Sequence, residues 1–122
     1  MKLRNNYFEQ LYDNTIEIYF KPQKRQNSGK GGQINMKLEG RLFVGNRLTE
    51  IKEVALVSDP DAPFSKNLEN ALILLCHEMD IPVPAWMKKN TKEFAAFYQT
   101  IFFAEQYQEK VRFDRFQIKM TE

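Results

Sequence analysis

A chain of 122 residues, 43% hydrophobic, 28% charged and formally +2 in net charge, has the profile of one globular domain able to bury about two-thirds of its unfolded surface. The single cysteine, Cys76, excludes an intramolecular disulfide framework, and beside the single histidine, His77, it leaves no multi-cysteine or His-rich metal site to assemble. The longest uncharged apolar run, Ala71 to Cys76, falls far short of the roughly 18 residues of a membrane span, and Met1-Lys2-Leu3-Arg4-Asn5-Asn6 leads into no apolar stretch, so neither a membrane segment nor a secretory signal is expected.

Thr15-Ile16-Glu17-Ile18-Tyr19-Phe20 alternates, with Ile16, Ile18 and Phe20 on one side, and predicts a strand. From Ile18 to Leu38 there is then no acid, but five cations, Lys21, Lys24, Arg25, Lys30 and Lys37. The middle of that stretch holds three of the five glycines and nothing apolar, so a flexible basic loop is predicted at 21–32. Ile34, Met36 and Leu38 alternate with polar residues, Gly40 interrupts, and Leu42-Phe43-Val44 resumes, which predicts one long strand bulged or bent at the glycine. Gly45-Asn46 supplies a turn into a third run, Ile51 to Val57, with Val54 and Leu56 inward. Short turns favour an antiparallel meander.

Past the turn at Ser58 to Pro63, Ser65 or Asp61 is placed to cap a helix. Leu68, Ala71, Leu72, Leu75, Cys76 and Met79 recur at helical steps and predict that helix over 65–79. Asp80 to Trp86 carries two prolines and must be extended. Asn90-Thr91-Lys92-Glu93 has a capping-box spacing, predicting a second helix over about 91–99 that turns Phe94, Phe97 and Tyr98 inward. Thr100 to Phe103 fits helix or strand, while Phe116 to Met120 alternates as a last strand. The expected fold is α+β: an antiparallel sheet of four or five strands from 14–58 and 112–121, with both helices packed on one face.

Asn6-Tyr7-Phe8, the stretch Ser58-Asp59-Pro60-Asp61-Ala62-Pro63-Phe64-Ser65-Lys66-Asn67-Leu68, Pro82-Val83-Pro84-Ala85-Trp86 and Phe113-Asp114-Arg115-Phe116 together resemble a family of small clostridial-type bacterial proteins of uncharacterised function. The resemblance spans most of the chain. It implies a bacterial, cytoplasmic protein and brings no activity, ligand or catalytic residue with it.

Several residue groups invite a chemical reading. Cys76-His77 suggests a nucleophile and its base, yet adjacent helical residues point about 100° apart, so a core cysteine and a solvated histidine are expected. Asp59 and Asp61 stand about 20 Å along the helix from Glu78 and Asp80, too far to share a metal; capping explains the first pair. Gly29-Lys30-Gly31-Gly32 lacks the following helix that a phosphate loop needs. The expected function is a non-enzymatic interaction or accessory domain, making a homodimer or protein contact through an aromatic surplus left outside the core at Phe103 and Tyr107. The alternatives are a weak, sequence-independent nucleic-acid or phosphate binder using Lys21, Lys24, Arg25 and Lys30, and an enzyme whose site gathers distant side chains such as Asp61, His77 and Glu78. No catalytic residue, metal ligand or cofactor is assigned.

Overall fold

Alternation of period two and stripes of period 3.6 produce two layers, a sheet and the helices that cover one side of it. The computed structural model describes residues 7–12, 15–19, 36–57 and 59–122. Strands β1 (Met36–Val44), β2 (Arg47–Leu56), β3 (Gln99–Phe103) and β4 (Arg115–Thr121) form one antiparallel sheet in the order β2-β1-β4-β3. Helices α2 (Phe64–Met79) and α3 (Lys88–Phe97), with the short helix α1 (Thr15–Tyr19), lie over the face that carries Leu38, Gly40, Leu42, Thr100, Phe102, Phe116 and Ile118. The α+β architecture is as the patterning predicts. The basic loop at 21–32 lies outside the described residues.

The core is centred on aromatic rings. Trp86, at the end of the extended proline segment, meets Phe94 of α3 at 6.0 Å and Phe102 of β3 at 5.7 Å, both edge to face, and Phe102 stacks on Phe116 of β4 at 5.9 Å. Such pairs add to burial because ring edges are positive and faces negative. The indole N–H of Trp86 is satisfied by Thr91 Oγ1 at 2.9 Å, which in turn donates to the Gln10 carbonyl at 2.7 Å. A polar group inside the core is thereby tolerated.

Four local expectations are corrected, and a fifth stretch that fitted two states takes one. The run 15–20, predicted as a strand, contains helix α1, which packs against α2 and α3 and buries Ile16 completely. Six alternating residues are too few to separate the two periods, and packing decides. Gly40 is neither bulge nor bend: β1 pairs through it with Lys52 and Ile118, and the register shift falls between Leu42 and Phe43. The glycine is needed because α2 comes so close; a Cβ there would stand 2.9 Å from both Leu75 Cδ2 and Phe116 Cε1. Neither Ser65 nor Asp61 caps α2. The carboxylate of Glu17 in α1 does so, accepting the Phe64 N–H at 3.2 Å, the Ser65 N–H at 2.7 Å and the Ser65 hydroxyl. Helix α3 starts at Lys88, with Asn90 on its first turn: Asn90 Oδ1 accepts the Met87 N–H at 2.8 Å while its amide donates to Thr100 Oγ1, also at 2.8 Å. Thr100 to Phe103, which fitted either state, is strand.

Both helices end in left-handed residues, Asp80 at φ 58 and Tyr98 at φ 62. After α2, the Asp80 N–H bonds to the His77 carbonyl and the Ile81 N–H to Cys76, a Schellman closure that seats Ile81 in the core. Beyond α3, the reversal at Tyr98 sends the chain back as edge strand β3. Side chains cap that edge at two points: the Ile101 carbonyl accepts from Lys89 Nζ at 3.1 Å and from Asn90 Nδ2 at 3.2 Å, and the Phe103 N–H donates to Gln106 Oε1 at 2.9 Å.

Candidate functional site

No described helix covers the second face of the sheet, and strand register decides which residues meet there. Opposite partners share a face, so Phe43, Arg115 and Phe103 fall in one row across β1, β4 and β3, with Leu48 of β2 beside Phe43. The next row holds Ile51, Arg41, Gln117 and Ile101, and the one after it Glu53, Glu39, Lys119 and Gln99. Adjacent strands lie about 4.8 Å apart, so the two phenylalanines flank Arg115 about 10 Å from each other.

Local bonds fix this row. Gly45, at φ 62 in the β1–β2 turn, donates its N–H to the Asp114 carboxylate and accepts Arg115 Nη1 at 3.1 Å. The Asp114 N–H donates to the Phe43 carbonyl at 2.8 Å. The hairpin tip is thus tied to the start of β4, and the Arg115 guanidinium rests 4.2 Å from the Phe43 ring centre. At the other end Lys89 Nζ stands 5.1 Å over Phe103. The face carries the cations Lys37, Arg41, Arg115 and Lys119 against the acids Glu39 and Glu53. Arg41 pairs with Glu39 at 3.0 Å and Lys37 with Glu53 at 3.9 Å, so Arg115 and Lys119 remain in excess, with Lys89 at the rim.

Of the two aromatics expected outside the core, the structure exposes one. Phe103 is 42% exposed on the open face. Tyr107 is only 8% exposed, because a 3-10 turn at Ala104–Gln106 carries the chain back and packs its ring edge-on against Phe113 at 5.4 Å. The two do not form a joint patch. The Tyr107 hydroxyl has no hydrogen-bond partner, and burial, then the neighbouring Cys76 and Glu109, pushes its pKa up. Phe97, predicted to turn inward beside Phe94, is 66% exposed, and Tyr98 is exposed as well. The apolar stripe of α3 runs out where the helix ends.

The remaining candidates stay apart. Cys76 is buried, and desolvation pushes its thiol up to about 12, while His77 faces solvent. Asp59 accepts the Asp61 N–H at 2.9 Å and shapes its own turn. Among the described residues no three of His, Cys, Asp and Glu stand together as a metal-binding group. Lys21, Lys24, Arg25 and Lys30 lie outside the described residues. A cleft of about 510 Å³ opens between α1 and α3, lined by Thr15, Lys92, Ala95, Ala96 and Tyr98; among the described residues Lys92 is the charged group in that lining. No described helix is long and apolar enough to cross a membrane.

The Phe43–Arg115–Phe103 row is what residue-by-residue inspection misses. Odd positions of β1 and β4 gave the signal, but the row exists only once register is known. Comparison with known proteins returns no match to a family model, a curated protein or a solved structure.

Proposed function

We propose that the chain is a non-enzymatic interaction domain whose binding surface is the open face of the sheet, acting in the bacterial cytoplasm that its resemblance implies. One observation carries this: four strands lie side by side without a described helix over them, and an aromatic–guanidinium–aromatic row stands across three of them. A sheet face left to water ordinarily alternates to polar residues, yet Leu48, Ile51 and Phe103 are exposed here. Exposed apolar groups gathered with arginine are the composition of binding surfaces.

The test is capture from a lysate of the host, comparing wild type with Ile51→Asp and Phe103→Asp. Both side chains face solvent, so each variant keeps the wild-type melting temperature within a few degrees. A captured macromolecule that both variants lose supports the proposal, and light scattering on the same proteins identifies the case in which the partner is a second copy. Equal capture by all three proteins overturns it.

A further inference from the structure

We infer that the occupant of the open face is a single-stranded nucleic acid, a step that rests on the interaction surface proposed above. Three features of the face select this ligand class. First, the rings of Phe43 and Phe103 stand on separate strands with Arg115 between them, 4.2 Å from the Phe43 ring centre. Aromatic rings and guanidinium planes are the surfaces on which unpaired bases stack, and every base has a π-face to offer. Second, the charge left after internal pairing is positive: Arg115, Lys119 and Lys89 take part in none of the ion pairs among the described residues. Arg115 spends one donor on Gly45, leaving others of its five for phosphate. Lys119 lies two rows along β4 from Arg115, about 13 Å at strand spacing, so backbone contacts can track the strand while bases sit in the first row. Third, a protein partner fits less well, because the cores of protein–protein interfaces are depleted in charge, whereas Arg41, Glu39 and Lys119 occupy the middle strands here. A duplex fits less well again: rings on the face of a sheet cannot reach the faces of stacked, paired bases.

The experiment is fluorescence anisotropy of the full chain with labelled oligo-uridine and oligo-thymidine of about ten nucleotides, beside a duplex of the same length, at low and rising salt. The single strands bind, and the duplex binds at least about tenfold more weakly. Phe43→Ala and Phe103→Ala each lower single-strand affinity about tenfold. The log–log salt slope is about −2, from three phosphate contacts at roughly −0.7 each on single strands. The inference is overturned by a wild type that binds no single strand at low salt, by equal affinity for duplex, or by alanine variants that bind as wild type does. Binding lost only when Lys21, Lys24, Arg25 and Lys30 are changed together to glutamine overturns it too, assigning the ligand to that segment. If no oligonucleotide binds while Phe103→Asp still abolishes capture of a protein from lysate, the interaction face stands and its nucleic-acid occupant falls.

Discussion

One sheet shows two surfaces built from alternate residues of the same strands. Under the helices, Leu38, Gly40 and Leu42 of β1 and Phe116, Ile118 and Met120 of β4 are buried, and every change of volume there is felt by α2 or α3. Opposite them, Lys37, Glu39, Arg41 and Phe43 alternate with Arg115, Gln117 and Lys119 in contacts that water can reach. Ion pairs of that kind contribute about 0–1 kcal/mol each. Stability is therefore concentrated on one side of the backbone, and the other side is left free to specialise in recognition. A residue's parity in its strand decides which task it has.

That division can be broken most sharply at Phe116. Its ring is fully buried between Phe102 and Phe113, so Phe116→Ala costs about 3–5 kcal/mol in chemical denaturation. A loss under about 1 kcal/mol would mean that the covered face does not hold the fold. A smaller effect probes the same side through pH. Burial raises the Cys76 thiol from 9.0 to about 12, so the folded protein keeps its proton where the unfolded chain loses it. This contribution is complete below about pH 9 and is lost as pH rises toward 12, at about 1.4 kcal/mol per pH unit. Burial pushes Tyr107 in the same direction, so its share is lost with the same sign at higher pH. Denaturation at about pH 8 and pH 10 checks this: Cys76→Ala shows the shallower fall, and equal falls refute it. The smallest effect is on the open side. Phe103→Ala loses an exposed ring and its Lys89 contact, costing under about 1 kcal/mol; a cost like that of Phe116 would erase the distinction.

How much of this was legible in the chain depends on length of pattern. The α2 stripe runs through about three turns from Leu68 to Met79, enough for its period to be unmistakable, and β1, its turn at Gly45 and β4 were equally clear. Thr15 to Phe20 was not, because six residues are too few to separate alternation from a helical period, and a buried Ile16 suits either. Caps were misread for a different reason. The donors at the start of α2 are satisfied by Glu17, 47 and 48 positions away from Phe64 and Ser65, and local spacing cannot name a distant acceptor. The same holds for the candidate site. Phe43, Phe103 and Arg115 are ordinary residues until register sets them side by side. Tyr107 looked exposed because nothing in its neighbours announces the turn at Ala104–Gln106 that returns it to the core.

The closure of the β3 edge by Lys89, Asn90 and Gln106 also limits how copies of the protein could join. A sheet with two open margins can lengthen without end, each addition exposing a fresh margin for the next. Here one margin is stoppered at Ile101 and Phe103 by the protein's own side chains, which among the described residues leaves the ten-residue β2 strand for lateral addition. Two copies meeting along β2 would present nothing but stoppered margins outward. In that direction the described strands have a valence of one, which favours a pair over a polymer.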